Sequence, residues 1–117
     1  MSHPLLSLID WQTHPKWVVD AGDTIIEAGD AAETLFYLQQ GVARTSDALI
    51  FPQGDIIMLA ETLALEAHNQ TVHACQPCHL VMIPLTQLKI SLSAKNQVAW
   101  PMSRSIAADM IQRRVAG

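Results

Sequence analysis

Short apolar clusters separated by glycine-bearing breaks set the rhythm of the first half of this chain. Trp17-Val18-Val19, Ile25-Ile26, Leu35-Phe36-Tyr37-Leu38 and Leu49-Ile50-Phe51 are the clusters; Gly22-Asp23, Gly29-Asp30, Gln40-Gly41 and Pro52-Gln53-Gly54-Asp55 are the breaks. Glycine reaches positive φ at little cost and aspartate bonds its own backbone, so Gly-Asp marks a turn. Strands this short must wrap into a compact barrel or sandwich to hide their edges. The cluster at Leu49-Ile50-Phe51 reads as a short buried strand.

The period changes over residues 56–65. Apolar side chains at Ile57, Leu59, Ala60, Leu63 and Ala64 fit one side of a short helix. Glu61 and Glu66 are then expected on its solvated side. Thr71-Val72-His73-Ala74 and Leu80-Val81-Met82-Ile83-Pro84 return to strand, with Gln76-Pro77 as the turn between them. Beyond Pro84 the pattern is helical, first over residues 85–92 and then from about 101 to 114. Proline is acceptable at a first helical position because its missing N–H has no intrahelical partner there. Leu5, Leu6, Leu8 and Ile9 predict a further short helix at the start, ended before His14-Pro15. The expected class is mainly β with flanking helices: a helical cap, about seven or eight strands broken by one helix, then helices.

Composition narrows this picture. At 117 residues the chain is expected to form one domain, with a barrel over about 16–85 and helices over about 86–115. Half the residues are apolar and 15% are charged, which suits a packed core and excludes a disordered chain. The formal charge is −4, with cations scattered at Lys16, Arg44, Lys89, Lys95, Arg104, Arg113 and Arg114. No basic stripe exists to neutralise several phosphates, so direct nucleic-acid binding is not expected. Arg113-Arg114 is better read as charge opposing a helix dipole. No segment approaches the ~20 apolar residues of a membrane span, and the start lacks a secretory pattern. The expected location is cytoplasmic, with the two cysteines reduced.

The glycine breaks, with Leu35-Phe36-Tyr37-Leu38, Gln40-Gly41-Val42, Gly54-Asp55 and the run from Val72 to Pro84, resemble the cyclic-nucleotide-binding domain family in order and spacing. The resemblance spans roughly residues 18–88 and includes the sensor domains of Crp/Fnr-type bacterial regulators. It implies a double-stranded β-helix of the jelly-roll, cupin-like kind. It also implies a phosphate cassette just after Gly54-Asp55. In the family that cassette carries Gly-Glu and, several residues on, an arginine before a small residue or threonine. The glutamate accepts from the ribose hydroxyl, and the arginine fork pairs the cyclic phosphate.

Here Gly-Glu falls on Met58-Leu59 and the arginine on His68 or Asn69, ahead of Thr71. A second register makes Glu61 the ribose partner with His68 facing the phosphate. A mostly neutral imidazole cannot replace a charged bidentate contact. The nearer likeness is to Fnr-type sensors, whose cassette is also apolar. The implied role is a regulatory sensor or interaction module that holds no cyclic nucleotide and needs no cofactor. The apolar run from Ile56 to Leu65 predicts either that any small ligand is hydrophobic, or flat and uncharged, or that side chains fill the pocket. The alternative is an ordinary cyclic AMP or cyclic GMP effector. In the family the helix after the barrel pairs with its twofold mate. That implies a homodimer through Met102, Ile106 and Met110, with a helix folded back on the barrel as the other reading. A full regulator of this type also carries a DNA-binding module, for which the chain has no expected room.

Cys75-Gln76-Pro77-Cys78-His79 has the letters of a c-type haem attachment site, and these residues with His68 and His73 could also serve zinc or iron. Two cysteines alone do not close a zinc site, and the export context of haem attachment is missing. The plain reading is one small residue packed inward beside a turn, with solvent-facing histidines. No Ser-His-Asp order, paired-carboxylate motif, phosphate loop or cupin histidine pattern stands out, so an enzyme is not expected.

Overall fold

A computed structural model describes residues 13–95 and 99–116, the side chains of 95, 99 and 113–116 excepted. The helix expected from Leu5 to Ile9, and the side chains of Arg113 and Arg114, lie outside what is described. Eight strands come in the order β1 (Lys16–Val19), β2 (Thr24–Ile26), β3 (Thr34–Gln40), β4 (Ala43–Thr45), β5 (Ile50–Phe51), β6 (Ile56–Ile57), β7 (Val72–Ala74) and β8 (Cys78–Pro84). Helix α1 (Leu59–Ala64) interrupts them, and α2 (Leu85–Lys95) and α3 (Ala99–Ala116) follow.

The strands form two four-stranded sheets, β1-β8-β3-β6 and β2-β7-β4-β5, with every pair antiparallel. The chain switches sheet at almost every turn, so each glycine break seen in the sequence carries a crossing. Gly41 is the most constrained of these. Its φ is 107°, and a Cβ there would lie 2.6 Å from the Pro77 carbonyl oxygen and 2.8 Å from Cys78 Sγ. Among the described residues no strand pair joins the two sheets, so the roll is not closed by hydrogen bonds. Its interior is shared instead: Val19, Leu38 and Leu80 from one sheet meet Ile26, Ala43, Phe51 and Val72 from the other.

The middle of the first sheet, along β3 and the later part of β8, is buried on both faces. Along β3, Leu38 points into the roll, while Leu35 joins Val81 and Ile83 against Leu63 of α1, Leu88 and Leu92 of α2 and Ala107 of α3. Alternation along β8 divides the same way, which is why Leu80 and Val81 are both fully buried although adjacent. The mainly β class with flanking helices is therefore observed.

Three boundaries differ from expectation. Ile56 and Ile57 pair with Tyr37 and Phe36 as β6, so α1 begins only after Met58. Helix α3 starts at Ala99, and Pro101 sits in its third position, still among the donors that lack intrahelical partners. Of the supposed buried strand at 49–51 only Phe51 is buried; Ile50 is 52% exposed, because this two-residue strand edges a sheet with one face to solvent.

Candidate functional site

The segment from Gly54 to Thr71 crosses from one sheet to the other around α1. Gly54 donates its N–H to Leu38 O at 2.7 Å and Asp55 O accepts from Leu38 N–H at 2.8 Å, which fixes the entry. Met58 then takes a left-handed conformation, φ 52° and ψ 41°, as the N-cap of α1, with no side-chain cap. Its carbonyl accepts from both the N–H and the hydroxyl of Thr62, at 2.9 and 2.8 Å. The Met58 side chain is 1% exposed. A bulky residue in this conformation costs on the order of 1–2 kcal/mol, which glycine would avoid.

Glu61 corrects the expectation of a solvated residue: it is buried in the first turn of α1. The reason is α3, which lies over the side of α1 that a lone surface helix would give to water. Glu66 is exposed and lies beyond the helix. His68 is buried too, at 4% exposure. Its backbone is clamped to the Gly29-Asp30 turn, with Gly29 N–H donating to His68 O and His68 N–H to Asp30 O, both at 2.8 Å. The Nδ1 atom of His68 has no hydrogen-bond partner. Burial holds its pKa below the ordinary range, against an upward pull from the Asp30 and Glu61 carboxylates. Asn69 is exposed, and the half-buried Thr71 accepts the Ala28 N–H on its hydroxyl at 3.0 Å.

Two cavities flank this segment. The larger, about 360 Å³, lies between α1 and α3, with Leu59, Leu63, Ile106, Ala107 and Met110 on its walls and Asp55 and Glu61 at its polar side. The smaller, about 150 Å³, lies under the β4–β5 hairpin and is bounded by Thr45, Asp47, Leu49, Asn69 and Ile111. Met58 and Glu61 border both. Neither wall carries a lysine or arginine among the described residues, whereas each carries two carboxylates. Small-molecule sites usually offer ~300 Å³ or more, a size that only the larger cavity reaches.

No protein-family profile and no curated protein matches the chain. Solved structures do. The cAMP-bound form of the EAL enzyme Bd1971 superimposes with a TM-score of 0.71 at 15% identity, over 87% of this chain and 29% of that one. The sensor domain of the transcriptional regulator DNR from Pseudomonas aeruginosa matches with a TM-score of 0.66 at 15% identity, over 95% of this chain and 83% of its own. The cAMP-bound PfPKA-R matches with a TM-score of 0.64 at 21% identity, over 80% of this chain and 37% of that one. This chain has the cyclic-nucleotide-binding domain fold. It spans less than a third of the EAL enzyme's length.

Within the cyclic-nucleotide-binding-type domain, the residues singled out from sequence separate into groups. Met58, Glu61 and Asn69 converge on the smaller cavity and Leu59 on the larger, while Gly54, His68 and Thr71 line neither. Missed were Thr45 and Asp47, whose hydroxyl–carboxylate hydrogen bond shapes the β4–β5 turn, and Arg104, whose Nε donates to Leu63 O at 3.0 Å and ties α3 to α1. A Thr-x-Asp turn signal was present at Thr45, but nothing linear links residue 104 to residue 63. On α3, Met102, Ile106 and Met110 are 55, 57 and 50% exposed, while Ala107 is buried. At the β7–β8 turn one cysteine packs inward, as the plain reading had it, and it is Cys78, with Cys75 exposed; of the histidines expected to face solvent His79 does, whereas His68 is buried under the Gly29-Asp30 turn. His73 is half-buried, with Nδ1 3.4 Å from the Thr24 hydroxyl. Among the described residues no three His, Cys, Asp or Glu side chains gather as a metal-binding group, and no helix is long and apolar enough to cross a membrane.

Proposed function

We propose that this domain is a regulatory sensor or protein-interaction module of the Crp/Fnr type in which the cyclic-nucleotide site is closed. One observation carries the reading. Met58 stands in left-handed backbone at the position of the cassette glycine, and its buried side chain occupies the ground between the two cavities. The surroundings support it. A cyclic phosphate would meet Asp47 and Glu61 without an arginine fork, inside a cavity of about 150 Å³. His68, kept neutral by burial, supplies no charge in its place.

In this reading the larger cavity takes an uncharged, largely apolar ligand, and its occupation moves α3 relative to α1. The exposed methionine and isoleucine stripe of α3 pairs with a second copy, so a shift of α3 alters self-association or docking. The module is non-enzymatic, and the setting implied is a cytoplasmic regulator. Titration calorimetry of the full chain with cyclic AMP and cyclic GMP tests the central point. The expected result is no saturable heat at millimolar nucleotide; one-to-one binding in the micromolar range would remove the proposal.

A further inference from the structure

The Cys75–Cys78 turn takes no part in that role, yet its two cysteines meet one acceptor unequally, Cys75 through its backbone N–H and Cys78 through its sulfur. Cys75 N–H donates to Val42 O at 2.8 Å, and Cys78 Sγ lies 3.4 Å from the same oxygen and 3.2 Å from Gln76 O. The two residues therefore converge on a single carbonyl across a bend, both as free thiols. Cys75 opens onto a surface groove bounded by Gly22, Arg44, His73 and Ala74. Cys78 is fully buried, and burial pushes its thiol up, outweighing the hydrogen bond to Val42.

We infer that Cys75 and Cys78 are a thiol–disulfide switch: Cys75 takes the first attack from a small disulfide oxidant and Cys78 resolves it. With oxidised glutathione as the oxidant, the Cys75 thiolate attacks one glutathione sulfur. The glutathione S–S bond breaks, one glutathione thiolate leaves, and a mixed disulfide remains on Cys75. Cys78 then loses its proton to solvent and attacks the Cys75 sulfur, expelling the second glutathione thiolate. Two protein thiols are oxidised and one disulfide is reduced to two thiols, and excess thiol drives the reverse. The guanidinium of Arg44 beside the groove suits the carboxylates of such an oxidant.

The order follows from exposure. An inert, buried thiol cannot begin the exchange, but it can complete it once the neighbouring sulfur is activated. Completion carries a structural consequence. Cys78 Sγ packs closely on Gly41, where a Cβ would lie 2.8 Å from it, so withdrawing it loosens the β3–β4 turn. The bond between Cys75 N–H and Val42 O lies at the same point. Oxidation is thus reported by faster amide exchange at Cys75.

The test treats the reduced full chain with oxidised glutathione and follows intact mass and free thiols. The expected product is a chain lighter by two hydrogens with no free thiol, restored by dithiothreitol. Cys75→Ser, a change at an exposed position, should keep its remaining thiol under the same conditions. Cys78→Ala should stop at a stable glutathione adduct on Cys75. The inference is overturned if the wild type stops at that adduct, if it links two chains instead, if both thiols persist, or if Cys75→Ser reacts as fast as the wild type.

Discussion

His68 is the residue where burial and titration meet. Its imidazole is held neutral in the folded chain by desolvation, although Asp30 and Glu61 pull the other way. In the unfolded chain a histidine titrates near its ordinary value, about 6.5. Below that value the unfolded state takes up a proton that the folded state refuses. Stability is therefore full above about pH 6.5 and falls as the pH drops through that value, levelling off below the depressed folded pKa. Urea titrations at about pH 7.5 and about pH 5.5 should show this loss, and His68→Asn should flatten it. A loss of equal size in His68→Asn would place the titration elsewhere.

Gly41 tests backbone at the same scale. Gly41→Ala meets both a left-handed φ of 107° and contacts of 2.6 and 2.8 Å, whereas Gly22→Ala, at φ 88°, meets nothing within 4 Å. The first should cost about 2 kcal/mol or more and the second about 1 kcal/mol in chemical denaturation. Single residues were unevenly legible. Gly41 announced a turn, but Glu61 looked solvated because a helical wheel cannot register a second helix packed across its polar side. That one cysteine of the Cys75–Cys78 turn packs inward was legible, but not that it is Cys78.

At the scale of elements, α1 is the piece most dependent on its neighbours. It spans six residues, too short to persist alone, and its N-cap offers no side-chain bond. Arg104 of α3 supplies a tie by donating to Leu63 O. Arg104→Ala should lower stability by about 1 kcal/mol and shift the NMR methyl signals of Ile106 and Ala107 on the cavity wall. Unchanged methyl signals would mean that α3 holds its place without this tie. Strands and turns were legible because the glycine breaks punctuate them directly. The ends of α1 were not, since Ile56 and Ile57 have the same apolar pattern in a strand pair as in a helix, and only the partners on β3 decide between them. The exposed edge at Leu49 and Ile50 was hidden for a similar reason: an apolar triplet does not say how many neighbours its strand has.

For the molecule as a whole, one sheet is sandwiched between the roll interior and a helical layer, and that layer has an apolar outer stripe. Met102, Ile106 and Met110 leave more apolar surface in one line on α3 than its packing on the domain uses. If the stripe pairs with a second copy, sedimentation equilibrium returns twice the chain mass, and Met102→Glu with Ile106→Glu returns the chain mass while leaving the far-UV spectrum intact. A wild type that stays monomeric at high concentration contradicts the pairing. The fold was legible from the spacing of turn motifs because crossings between two sheets demand breaks at regular places. What fills the site was legible only in part. Met58 was visibly out of place in the cassette, but the division of the space beside it into two cavities depends on α3, far along the chain.

The most direct test of the proposed closure is an amide NMR titration of the full chain with cyclic AMP. With Met58 in the glycine's place and no cation among the described cavity walls, resonances from Met58 to Thr71 should stay where they are at millimolar nucleotide. Saturable shifts centred on Met58, Glu61, His68 and Asn69, with α3 moving in step, would contradict the account.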